Sequence, residues 1–325
     1  MSDIDSIQLK FSPDSLMGLN IVLGLIMFGV ALDLKLDDFY RIRKEPKSVL
    51  IGIFSQFLLL PFLTFFLALF LNPPPSIALG MILVSSCPGG NVSNFIVHLS
   101  KGRTVLSVTM TAISTVVAIF MTPFNITFWS SYYPGAESLL TDVSLDPVSM
   151  LGTVFTLLGI PLILGMFVAS NYPHLAEKLR KPFKILSIVF FILFIGIAFK
   201  ANIDHFLPSI GVIFMPVFIQ NAMAFLIGYV SAKSIGVSEE NARAVSIEVG
   251  IQNSGLGLIL IFNFFKGLGG MALIAAWWGI WHIIAGMTLA FFWARRPPPK
   301  ILVEEISHFM NAEEADDWMD ESEKK

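Results

Sequence analysis

Cysteine occurs once in these 325 residues, at Cys87, and charged side chains make up only 14% of the chain. A lone cysteine excludes an internal disulfide and says nothing about redox compartment. The five histidines, at positions 98, 174, 205, 282 and 308, fall at no metal-ligand spacing. Metalloprotease and nucleotide-binding signatures are absent, which argues against ATP-driven transport by this chain alone. No nucleophile–base pair is evident, so an enzyme is not expected. No nucleic-acid partner is expected either.

What the sequence has is apolar length. Hydrophobic residues make up 55% of the chain, in long uncharged runs that repeat from end to end, as in a polytopic membrane protein. A hydrocarbon core of roughly 30 Å needs about 20 apolar residues per helix. Nine segments reach that length, roughly 16–34, 48–71, 77–100, 104–130, 148–170, 183–201, 208–231, 240–265 and 270–294. Barrel strands would be about ten residues long and alternating, so the expected fold is an all-α membrane bundle of about nine transmembrane helices.

Lysine and arginine set the expected orientation, because cytoplasmic loops carry their excess. With the amino terminus outside, sixteen fall inside before the two tail lysines are counted: Lys35, Arg41, Arg43, Lys44, Lys47, Lys101, Arg103, Lys178, Arg180, Lys181, Lys184, Lys233, Arg243, Arg295, Arg296 and Lys300. Only Lys10, Lys200 and Lys266 fall outside. Residues 1–15 form an acidic extracellular segment that does not read as a cleaved signal peptide. A transporter domain covers 16–295, and an acidic cytoplasmic tail follows from 296 to 325, partly disordered by composition.

Two of the nine segments are interrupted. The third holds "SSCPGGNVSN" at 85–94, and the eighth holds "EVGIQNSGLG" at 248–257. Both breaks come about a dozen residues in, roughly 16–18 Å at 1.5 Å per residue, which puts them near the bilayer midplane. The two segments are five positions apart in the order of helices, an odd number, so they cross in opposite directions. Gly/Pro-interrupted helices at corresponding places in two inverted halves point to the binding site of a secondary transporter.

The residues at these breaks also carry a likeness. "CPGGNVSN", "LSVTMTAIST" and "IEVGIQNSGLG" resemble the signatures of the bile acid:sodium symporter family, and the resemblance runs from the first span through the ninth. It implies a core with two crossed, unwound helices (about 48–131 and 208–294), a panel (about 16–34 and 148–201), and transport of organic anions with sodium. It also implies the family's ten helices minus the first.

The chemistry can be argued separately. Glu248 is the only acid well inside a span, and an ionisable residue there is functional by default. No basic residue lies at its depth, so a bound cation is its natural partner. Sodium is a hard ion that takes oxygen ligands. Unwound backbone offers carbonyls, with glycines at 89, 90, 250 and 255 permitting the unwinding. Ser107 and Thr111 are four apart and share a helix face. By likeness to the family, one site comprises Ser93, Asn94, Ser107, Thr111 and Glu248. The other comprises Gln56, Glu248, Gln252 and the carbonyls of Val249 and Ile251. Two sites sharing one carboxylate imply two Na+ per cycle.

Singly, each residue has a simpler role. Ser107 and Thr111 suit interhelical hydrogen bonds, Asn94 a helix N-cap, and Gln56 the backbone group freed by Pro61. His282 is a packing residue before it is a proton relay. It is the single acid together with both breaks that these roles leave unexplained.

The anion is expected where half-helix amino termini offer free N–H groups, bordered by Asn253, Ser254 and Asn94, with Asn221 and Gln220 as weaker candidates. The expected activity is sodium-coupled symport of bile acids or related amphipathic carboxylates and sulfonates across a cell membrane. The alternatives are a proton- or sodium-coupled carrier of small carboxylates such as pantoate or pyruvate, and a non-transporting ligand sensor. The sequence leaves the oligomeric state open.

Overall fold

The computed structural model describes residues 4–6, 13–34, 45–141, 146–201, 203–296 and 298. Lys10, Lys35, Arg41, Arg43, Lys44, Lys300, His308 and the acidic tail beyond Arg296 lie outside the described residues.

Each apolar segment read from the sequence becomes one helix or a pair of half-helices. These are α1 (Pro13–Ala31), α2 (Pro46–Leu71), α3 (Pro75–Ser86), α4 (Val92–Leu99), α5 (Thr104–Ser131), α6 (residues 147–171), α7 (Pro173–Ala201), α8 (Ile203–Ser234), α9 (Glu239–Gly250), α10 (Ser254–Phe264) and α11 (Gly269–Ala294). A short helix, Glu137–Thr141, lies between α5 and α6. Among the described residues five helices are continuous, long and apolar enough to span a bilayer, and three shorter ones are apolar. The fold is all-α and polytopic.

Proline placement explains the local geometry. Pro61 and Pro161 lie inside α2 and α6, where each lacks an N–H and its ring crowds the carbonyl four residues back. Both helices respond by widening to a π turn just upstream, Ser55–Leu59 in α2 and Phe155–Gly159 in α6. Leu60 N bonds Ser55 O, and Ile160 N bonds Phe155 O, each five residues back. The carbonyl released by Pro61 belongs to Phe57, and Asn125 Nδ2 on α5 donates to it at 2.9 Å.

The interrupted helices form the centre. In α3 every residue from Ser76 to Ser86 is buried, and in α9 every residue from Asn241 to Gly250. Such helices have no lipid face and must be enclosed by others, here α2, α5, α8 and α11. Helices α1, α6 and α7 pack on one another at the side. A Cβ on Gly165 of α6 would stand 2.5 Å from Ala31 Cβ, so bare backbone is what admits α1 there. Arg180 of α7 caps the end of α1, with Nε and Nη2 donating to Leu32 O at 3.1 and 3.0 Å.

Arg243, counted with the inside charges, is enclosed near the start of α9. It is 3% exposed and gathers chain ends. Nη1 donates to Ser100 O at 2.9 Å and Trp293 O at 3.2 Å, Nη2 donates to Arg296 O at 2.7 Å, and Nε donates to Glu239 Oε1 at 3.0 Å. A cation at the carboxyl ends of α4 and α11 meets their unpaired carbonyls and their negative poles.

Candidate functional site

A helix that stops inside a protein leaves carbonyl and N–H groups that must find other partners. Here the two breaks satisfy each other. Gly90 N donates to Ile251 O at 2.7 Å and Asn253 N donates to Pro88 O at 2.9 Å, an antiparallel bridge centred on Gly89 and Gln252. Side chains take up the remaining carbonyls. Gln56 Nε2 donates to Cys87 O at 2.8 Å, Thr122 Oγ1 to Ser86 O at 2.6 Å, Asn221 Nδ2 to Gly250 O at 2.8 Å, and Gln252 Nε2 to Val249 O at 2.6 Å.

Glu248 lies beside this bridge, 2% exposed and the only buried acid among the described residues. Its Oε2 accepts from Ser93 Oγ at 2.6 Å and Ser107 Oγ at 3.0 Å, and its Oε1 accepts from Thr111 Oγ1 at 2.7 Å. Thr111 Oγ1 also lies 3.4 Å from Asn94 Oδ1. Three helices thus bring Ser93, Asn94, Ser107, Thr111 and Glu248 to one point, all oxygen-bearing and without a basic side chain.

On the other flank Gln56 Nε2 donates to Gln252 Oε1 at 2.8 Å, while Gln56 Oε1 is buried and accepts nothing. Gln56 therefore does not serve the group freed by Pro61, which Asn125 takes. Asn94 is likewise not an N-cap, because Asn91 holds that place and Asn94 lies a turn inside α4. Asn253 is the N-cap of α10, its Oδ1 accepting from Leu256 N at 3.0 Å, and Ser254 is buried beside it. Gln220 reaches the other way, its Nε2 donating to Met81 O at 2.9 Å. Asn221 Oδ1 and Gln220 Oε1 are buried and accept nothing. His282 is 4% exposed and edge-on to Trp278, and its Nδ1 is without a partner.

The space around three of the glycines at the breaks adds a second reason for them. None of Gly89, Gly90, Gly250 or Gly255 has positive φ, so their value is not access to left-handed backbone. A Cβ on Gly89 would meet Glu248 Oε1 at 2.4 Å, one on Gly90 would meet Gln252 O at 3.2 Å, and one on Gly250 would meet the Phe225 ring at 2.2 Å. Close approach is what excludes a side chain. Thr122 and Asn125 were not singled out from the sequence. Their signal was present, since both are polar residues within the apolar run of α5.

Residues 20–209 match the Sodium Bile acid symporter family. Over 282 residues the chain is 33% identical to an uncharacterized sodium-dependent transporter, YocS, of Bacillus subtilis (strain 168), covering 87% of this chain and 84% of that protein. It is 30% identical over 279 residues to the probable sodium/metabolite cotransporter BASS1, chloroplastic, of Arabidopsis thaliana, covering 86% and 67%. With the ileal sodium/bile acid cotransporter of Homo sapiens it shares 28% identity over 243 residues, covering 73% and 67%. These relatives are transporters, not enzymes. With more than half of its residues matched and a relative aligned over most of both chains, the protein belongs to the sodium bile acid symporter family.

Proposed function

We propose that this protein is a sodium-coupled symporter of organic anions working by alternating access across a cell membrane. The observation that carries this reading is the buried Glu248 carboxylate, ringed by Ser93, Ser107 and Thr111 hydroxyls and facing no basic side chain. A buried anion without a counter-charge costs several kcal/mol (about that order), and an alkali cation removes that cost. The donor set suits sodium, because hydroxyls can turn their lone pairs inward and amide and backbone oxygens are hard ligands. The first ion is assigned to Ser93, Asn94, Ser107, Thr111 and Glu248. The second is assigned to Glu248, Gln56, Gln252 and the Val249 and Ile251 carbonyls, and the unpartnered Gln56 Oε1 supports it.

The halves are read as inverted repeats. Gly90 N to Ile251 O is answered by Asn253 N to Pro88 O, and Gln56 Nε2 to Cys87 O by Asn221 Nδ2 to Gly250 O. Lys101 and Lys266, each followed by glycine, both take positive φ after their half-helices. The crossing with α2, α5, α8 and α11 acts as the moving core against a panel of α1, α6 and α7, with the amino terminus outside and the carboxyl terminus inside.

The anion is placed beside the crossing, near the half-buried Asn94 and Asn253 and the buried Ser254, where helix amino termini favour negative charge. Asn221 is given to the cation side, because its amide holds Gly250 O, between the Val249 and Ile251 carbonyls assigned to the second ion. Amphipathic carboxylates or sulfonates of bile-acid type are the first substrate reading. Small metabolic carboxylates are the second, favoured by the match to a probable sodium/metabolite cotransporter. Uptake of both classes into proteoliposomes under a sodium gradient tests the proposal. Accumulation driven by pH and indifferent to sodium would replace sodium with protons, and saturable binding without accumulation would make the protein a sensor.

A further inference from the structure

Helices α8 and α11 run the same way and leave a furrow between them, of about 620 Å³. Phe218, Phe225 and Tyr229 line it from α8, Trp281, Ala285 and Phe292 from α11, and Ser246 of α9 forms its floor. From Phe218 to Tyr229 the wall rises roughly 16 Å at 1.5 Å per residue. That is about half of a roughly 30 Å hydrocarbon core, the depth of one leaflet.

The furrow ends at charge. Lys233 lies at the end of α8, Glu239, Glu240 and Arg243 at the start of α9, and Arg295 and Arg296 just after α11. Glu239 is already bound by Arg243 at 3.0 Å and Lys233 at 3.4 Å. Arg243 covers the carbonyls of Trp293 and Arg296, which would otherwise repel an anion at the end of α11. Arg295 and Arg296 are exposed, and the Arg296 guanidinium stacks 4.5 Å over Phe292, itself a wall of the furrow. Tyr229 stacks on Trp293 at the same level, as aromatic rings do at a membrane–water boundary.

From this combination we infer that the furrow is a site for an anionic phospholipid, one acyl chain lying between α8 and α11 and the phosphate held by Arg295 and Arg296. A furrow one leaflet deep, with aromatic walls and a basic rim, matches the two ends of such a molecule. Its floor, Ser246, is two residues from Glu248, so the occupant buttresses the half-helix that carries the buried acid.

Native mass spectrometry of the intact protein, purified from mixed phosphatidylcholine and phosphatidylglycerol, tests this without any transport assay. Phosphatidylglycerol is expected to stay bound preferentially. Arg295→Gln with Arg296→Gln should lower its retention about tenfold or more, since each basic group near an anionic surface contributes on the order of 1 kcal/mol. Ala285→Trp, which fills the furrow and leaves the rim, should displace both lipids. Equal retention of the two lipids by the unaltered protein, or retention unmoved by either change, marks ordinary boundary lipid and overturns the inference. A paired mass lost in Ala285→Trp with no lipid bound would make the furrow a contact between two copies and overturn it as well.

Discussion

Gly89 and Glu248 touch across the crossing, so closely that a Cβ on Gly89 would stand 2.4 Å from the Glu248 Oε1 atom. The carboxylate is held on its other sides by three hydroxyls and cannot retreat without releasing them. Gly89→Ala should therefore cost about 1–3 kcal/mol, the usual range for overfilling a packed interior. The expected result is a lower unfolding temperature in detergent together with loss of sodium-induced stabilisation. An unchanged unfolding temperature would mean that the crossing yields freely.

Glu248→Ala should abolish sodium-stimulated uptake while the protein remains in the membrane. It removes the acceptor for Ser93, Ser107 and Thr111 at once. The proteoliposome assay with orientation-checked protein reads this directly. Full uptake by the variant would remove the carboxylate from the mechanism.

Gln252→Ala takes away one amide and leaves the carboxylate in place. A hydrogen bond or ligand of this kind contributes about 1 kcal/mol, so half-maximal uptake should need roughly fivefold more sodium. Sodium titration at fixed anion concentration is the measurement, and an unshifted curve would count against this residue as a ligand.

Asn221→Ala separates two roles by which constant it moves. Its donor holds Gly250 O, between the carbonyls of Val249 and Ile251. The sodium requirement should rise severalfold while the KM for the anion at saturating sodium stays put. A rise in anion KM alone would return Asn221 to the substrate.

Asn125 and Pro61 should be coupled in stability. Asn125→Leu leaves Phe57 O without its donor, at a cost of about 1–3 kcal/mol for a buried polar group. In a Pro61→Ala background the new N–H can reach that carbonyl, and the same change should cost about 1 kcal/mol less. Thermal unfolding of the four proteins completes the cycle, and additive effects would show that the two are independent.

Much of this was legible because polar residues in an apolar run cannot be accidental. The breaks announced themselves through Gly89, Gly90 and Gln252, the acid through its isolation, and the shared face of Ser107 and Thr111 through helical spacing. Other features depend on contacts that no local pattern encodes. Asn125 serves a carbonyl 68 positions away and Thr122 one 36 positions away, so the sequence marks both as polar residues in a span without showing what they bond. Arg243 counted only as an inside charge at the start of the eighth segment. Only the gathering of two helix ends, α4 and α11, around its guanidinium reveals it as interior. For the glycines the sequence shows the missing side chain and not what occupies its space, which at Gly89 is the Glu248 carboxylate.

The bridge between Gly89 and Gln252 also bears on biogenesis. While the first half of the chain is being threaded into the bilayer, the main-chain groups of Pro88 and Gly90 have no mates, and lipid offers none. They are completed only when Ile251 and Asn253 emerge much later in translation. Until the second break arrives, the amino-terminal half needs water or another protein to pair these groups, so the insertion of the two halves is coupled.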